Sequence, residues 1–474
     1  MRITAALAAA GILAAALASP SATALAASRA TARPAAAHSA TGHPAAASGS
    51  QLWLSRFIGQ RHASNCNPLR ALASPDSSTV YVVINCGRDS NGFGPEIGVV
   101  AYNASTGAKV WKSYYPPFGQ RPRGAVTGTS AVLSPDGTRL YITGSFGHHE
   151  GRKFQTLAYD TATGALAWQQ RYQGGPDQLR GAGSGADSIA VSPDGSMVFV
   201  TGYGSAVETN LYAALTFGYD AATGATVWMR RSVTPLPGFT ASVAVSPDGT
   251  TVLVSNGTTK HQLTALDATT GATMWTRYDT ATRSAALPVT VSADGSTVVT
   301  ADLGSTAAYA AATGARLWIR RYAKSDRLAH FTPSSLAVSP DGSVVYASGT
   351  NRRGRNHPAA TTVAYDIATG ATRWVATYYA GGTQEVAITP NPDGSALYVA
   401  AESETATTAT FVLLAFDSAS GAALWTRMRP AQDTFPADPG TVAVSPDGST
   451  VFAPYTEVNQ ATKKGGAVTV AYRA

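Results

Sequence analysis

At 474 residues the chain has the length of about three average domains. Its composition, 13% charged and 44% apolar with 46 Gly, suits many short strands joined by tight turns and excludes coiled coils and long surface helices. The formal net charge of +7 comes with no long Lys/Arg run and no nucleic-acid motif, so nucleic acid is not an expected partner.

Met1-Arg2, the apolar run Ile3 to Ala18 and the small residues Ala22 to Ala26 have the three parts of a secretory signal peptide, expected over residues 1–27. A retained membrane anchor competes with this reading, although the run is shorter than the roughly 20 residues a spanning helix needs. No later segment reads as a transmembrane helix. Residues 28–46 are mostly Ala, Ser, Thr, Pro and His without apolar periodicity, the composition of a disordered leader. The expected location is therefore extracellular.

Cys66 and Cys86 flank the turn Ser74-Pro75-Asp76-Ser77. If Ala73 pairs with Thr79, residue numbers of partners sum to 152; Cys66 and Cys86 share that sum and fall opposite each other at the open end of the hairpin. In an exported protein that arrangement predicts a disulfide.

From residue 47 onward one eleven-residue pattern recurs, as in Ala158-Tyr-Asp-Thr-Ala-Thr-Gly-Ala-Leu-Ala-Trp168. Seven intact copies end at Trp111, Trp168, Trp228, Trp275, Trp318, Trp374 and Trp425, and an eighth is split: Trp53 ends its second half, and Val470-Ala471-Tyr472-Arg473 begins its first. A period of 43 to 60 residues indicates a propeller or a solenoid. Only a closed ring explains complementary half-motifs at its two ends. The expected fold is all-β: a single eight-bladed β-propeller over residues 47–474, built from four-stranded antiparallel blades and closed by pairing the N-terminal strand with the C-terminal ones. Within each blade, Ser-Pro-Asp-Gly joins strands A and B, as at Ser134 and Ser192, and Ala-Thr-Gly-Ala joins C to D. Both turns lie at one end. The B-C and D-A connections at the other end vary in length and chemistry, so the ligand face is expected there.

The repeat resembles that of the quinoprotein alcohol dehydrogenase-like propellers, whose tryptophan-docking motif Ala-x-Asp-x-x-Thr-Gly-x-x-x-Trp is met by Ala158, Asp160, Thr163, Gly164 and Trp168. Departures fall at the Asp position, which is Asn103, Ala310 and Arg473 in three copies, and weaker local hydrogen bonding is expected there. The resemblance implies that the eight indoles pack between adjacent blades. In the family's dehydrogenase branch it also implies pyrroloquinoline quinone over calcium in the channel, often capped by adjacent cysteines, with an Asp as base. This chain lacks adjacent cysteines, and its candidate channel-mouth carboxylates, Asp187 and Glu385, are isolated in sequence.

The variable loops carry clustered cations and histidines: His148-His149-Glu150 with Arg152 and Lys153; Arg352, Arg353 and Arg355 with His357; and Lys324, Arg327 and His330. The arginines suit an anionic partner. Asp89 to Glu96 resembles part of a calcium loop without EF-hand spacing. The reading is an exported binding or scaffolding module, a monomer without catalysis or cofactor, whose ligand is a protein, a polymer or a small anion. The alternatives are a quinone-dependent dehydrogenase, a propeller lyase, and an extracellular sensor or adhesin.

Overall fold

The computed structural model describes residues 48–57, 66–87, 96–116, 125–147, 153–172, 184–206, 211–233, 241–257, 261–279, 288–302, 305–321, 331–352, 358–379, 382–404, 409–431, 440–459 and 464–474. The signal peptide and leader expectations, and the groups at 148–152, 324–330 and 353–357, lie outside them.

The turn chemistry makes the hairpins. In blade 2, Ser134 Oγ donates to Asp136 Oδ1 and accepts from Arg139 N, Thr138 N donates to the same carboxylate oxygen, and Gly137 sits at φ 72°. The same bonds hold the aspartates of the other Ser-Pro-Asp-Gly turns, and of Ser292-Ala-Asp-Gly, well below the usual carboxylate range, Asp194 and Asp294 at about 2, led by the serine hydroxyl. In the first blade Ser77 takes the left-handed corner itself, at φ 60°. At the C-D turn, Asp160 Oδ1 accepts from the backbone and hydroxyl of Thr163.

Eight four-stranded antiparallel sheets result. Blade 3, for example, runs Gly185–Val191, Met197–Ala206, Leu211–Asp220 and Thr226–Val233. The split blade pairs Gln51–Phe57 with Lys464–Arg473, in the order D-C-B-A, and so closes the ring. Each A strand packs against the A strands of both neighbouring blades all the way round. The A strands therefore line the axis, and the D strands form the outer wall.

Between blades each indole docks on its neighbour. Trp228 Nε1 donates to Ala268 O at 2.9 Å, Trp53 Nε1 to Ala104 O at 2.7 Å and Trp374 Nε1 to Ser418 O at 2.9 Å; Trp425 reaches Ser48 Oγ instead. The ring of the indole lies on the glycine of the neighbour's C-D turn: a Cβ on Gly271 would stand 2.6 Å from Trp228. That glycine is required twice, by its left-handed φ of 67° and by the indole above it.

Two expectations need correction. The first hairpin leaves its turn with Ala73 opposite Val80, not Thr79, and a bulge at Leu69 between Pro68 and Arg70 restores the offset that sets Cys66 opposite Cys86. The disulfide forms there. At the C-D turn of blade 1, Asn103 loses nothing, because its Oδ1 accepts from Ser105 N, Thr106 N and Thr106 Oγ1 as an aspartate would. At Ala310 only the backbone bonds from Thr313 and Gly314 remain.

Candidate functional site

The inner wall is where polar chemistry converges. Five A strands carry a bulge whose extra residue is Leu69, Thr129, Asp187, Ser334 or Glu385. A bulge leaves one residue out of the ladder and re-aims its side chain. In three blades the cause is a glycine on the B strand: a Cβ on Gly144, Gly202 or Gly349 would stand 1.9 to 2.1 Å from a carbonyl oxygen of the bulged strand. Thr129 and Ser334 are exposed although they sit on innermost strands, so water reaches the axis there.

The inner strands have a free edge, and in several blades side chains of the preceding blade satisfy it. Ser188 Oγ accepts from Val243 N, Ser335 Oγ accepts from Ile388 N, Thr129 Oγ1 donates to Ala186 O, and Arg70 donates through Nη1 to Ala131 O at 2.9 Å. Between blades 8 and 1 the backbone does this itself, Ala71 N donating to Thr441 O and Thr441 N to Leu69 O. Asp187 belongs to this system: its Oδ2 accepts from Ala241 N at 3.1 Å. Burial pushes its carboxyl up to about 7, with that one N–H opposing.

Both acids singled out from the sequence thus occupy the extra position of a bulge on an innermost strand. They stand on blades 3 and 7, on opposite sides of the ring, which does not bring them together. Among the described residues no three His, Cys, Asp or Glu side chains gather as a metal site. A quinone over calcium calls for converging oxygen donors. Of the two acids on the described wall, Asp187 is committed to the backbone N–H of Ala241 and Glu385 stands on the strand across the ring, so the described wall does not bring together the oxygen donors that group needs. Arg352 ends its strand, exposed, at the B-C end as expected, paired with Pro358.

Sequence reasoning missed two constellations. Arginines two residues after the docking tryptophan in blades 3, 4, 5 and 7 bond the turn glycine of the next blade: Arg230 to Gly271 O, Arg277 to Gly314 O at 2.7 Å, Arg320 to Gly370 O at 2.5 Å and Arg427 to Gly49 O at 2.7 Å. Their recurrence at that spacing was the available signal. Ser255 Oγ and His261 Nε2 lie 2.9 Å apart across a B-C hairpin, the spacing of a nucleophile and its base, but both residues are buried and Ser255 has no exposed surface. No substrate reaches that hydroxyl.

A family model described as outer membrane protein assembly factor BamB matches residues 95–209, 217–427 and 358–472, which together run across most of the ring. The chain belongs to this family. Its members share the PQQ-like repeat. No curated protein matches the chain in sequence. Among solved structures, BamB from Moraxella catarrhalis is similar at a TM-score of 0.51 and 17% identity, covering 90% of this chain and 98% of that one. Quinohemoprotein alcohol dehydrogenase ADHIIG from Pseudomonas putida HK5 is similar at a TM-score of 0.48 and 14% identity, covering 87% and 76%.

Proposed function

We propose that this protein is an exported, non-catalytic propeller that binds a partner protein on its outer wall, with the variable B-C and D-A loops completing the contact. One observation carries the reading. The residue before the docking tryptophan points away from the indole and is solvent-exposed and large in six blades: Leu52, Val110, Val227, Met274, Leu317 and Leu424, at 40 to 59% exposure. Two positions further along each strand the same face continues, with Met229 and Val375 also exposed, and it ends on exposed cations such as Arg231 and Arg321. Apolar side chains rimmed by arginine, repeated from blade to blade, suit a protein surface with acidic margins. The family's description as an assembly factor supports a scaffold, and the Cys66–Cys86 disulfide supports an oxidising compartment.

The test is capture of partners from the exported fraction of the producing cells on immobilised protein. Met274→Glu combined with Leu317→Glu places acids on two adjacent blades without touching an indole. A partner held by the natural protein and lost with the double variant, both folded by circular dichroism, supports the reading. Equal retention places the contact elsewhere.

A further inference from the structure

Arg70 stands on the innermost strand of blade 1, one residue past the bulge, at the position where blades 3 and 6 have Ser188 and Ser335. Those serines need only a hydroxyl to reach the free edge of the next A strand. Arg70 reaches the same edge: its acceptor, Ala131 O, belongs to the residue of blade 2 equivalent to Ala71, Val243 and Ile388, whose backbone groups point off the open side of the A strand. The guanidinium therefore lies at the inner edge of the ring, where the A strands of blades 1 and 2 meet. Of its five N–H donors, one meets a described acceptor. No ion pair to Arg70 occurs among the described residues, and burial pulls its guanidinium below the ordinary arginine value. Arg70 is half-buried, and a guanidinium there with one described acceptor and no described counter-charge favours a neutralising partner. The neighbouring bulge residue of blade 2, Thr129, is exposed, so water reaches the inner wall beside it.

We infer that Arg70 holds a small oxyanion, a carboxylate or phosphate group, at the inner edge of the ring. The planar fork of the guanidinium matches two oxygens of such a group, and Ala131 O fixes the fork's orientation by occupying one arm. This site is separate from the outer wall and stands or falls without it.

Thermal unfolding of the whole protein is followed while sodium phosphate or sodium malonate is raised from zero to 20 mM, a range of roughly two decades around a millimolar dissociation constant. Sodium chloride at matched ionic strength is the control. A ligand of the native state raises the midpoint in proportion to the logarithm of its concentration above its dissociation constant. The expected result is such a rise with one or both oxyanions and not with chloride; the stronger of the two tells phosphate from carboxylate. Arg70→Met, which keeps the length and removes charge and donors, should abolish the rise. Arg70→Lys, which keeps the charge and loses the fork, should weaken binding at least tenfold by calorimetry, and it decides the matter if the methionine variant does not fold. No rise in the natural protein, or an equal rise with Arg70→Met or Arg70→Lys, overturns the inference.

Discussion

Replacing Gly271 with alanine separates the two demands that the structure places on the turn glycines. The backbone there is left-handed, at φ 67°, and an alanine in that conformation costs about 1–2 kcal/mol. The new Cβ would also stand 2.6 Å from two atoms of the Trp228 indole, closer than such atoms approach, so the indole must move. Moving it breaks the Trp228 Nε1 bond to Ala268 O, worth about 1 kcal/mol. It also gives up part of a burial whose full loss costs about 3–5 kcal/mol. Gly249 supplies the control. Its φ is 74°, but the nearest atom to its Cβ is Pro193 Cδ at 3.3 Å, so Gly249→Ala carries the backbone cost with little else. Guanidinium unfolding monitored by tryptophan fluorescence should therefore show Gly271→Ala less stable than Gly249→Ala by about 2 kcal/mol. Losses within about 0.5 kcal/mol of each other would show that the indole does not depend on that glycine for its seat.

Deleting residues 47–57 removes the outer strand of the closing blade together with Trp53, and should leave an insoluble or unfolded product; a soluble truncation with an unchanged melting midpoint would mean that the ring is not closed by that strand. Peptide mapping without reductant should recover Cys66 and Cys86 as one linked pair, and Cys66→Ser with Cys86→Ser should lower stability by about 3 kcal/mol without altering partner capture. Pyrroloquinoline quinone and calcium, titrated together and followed by quinone absorbance and dye reduction, should give neither tight binding nor turnover. Micromolar binding with turnover that Asp187→Ala abolishes would promote the dehydrogenase reading.

Closure, blade number and the seats of the tryptophans were legible because they repeat: the same Gly, Asp and Trp recur at fixed offsets, and each blade solves the same packing problem. What resisted reading was local to single blades. The bulges at Leu69, Thr129, Asp187, Ser334 and Glu385 shift a strand by one residue, which period-2 patterns cannot register. Gly144, Gly202 and Gly349, placed inside B strands where glycine is otherwise a weakness, were the only sequence trace of three of them. Arg70 passed unnoticed because its significance lies in the edge of another blade, a contact that no spacing along the chain encodes. Asp187 was noticed for its charge, yet its burial and its bond to Ala241 N became visible only once two blades stood side by side.

Asp187 also sets an unusual pH dependence. Its carboxyl, held at about 7 in the folded chain, titrates near 3.9 when the chain unfolds. Between those values the folded state binds the extra proton, so the contribution of this group is complete below about pH 4 and is lost as pH rises through about 7. The turn aspartates act in the opposite sense. Their carboxyls lie below the usual range, so what they contribute is complete above about pH 4 and is lost only as pH falls through their folded values, toward about 2 for Asp194 and Asp294. The two windows do not overlap between pH 5 and 8. A three-unit shift corresponds to at most about 4 kcal/mol, and partial solvent contact with the channel reduces it to about 1–2 kcal/mol. Stability should therefore decline from pH 5 to pH 8 in the natural protein. Asp187→Asn keeps an oxygen for Ala241 N and removes the titration, so its profile over the same range should be flat relative to the natural one. Parallel profiles for the two proteins would show that Asp187 is not the group that titrates.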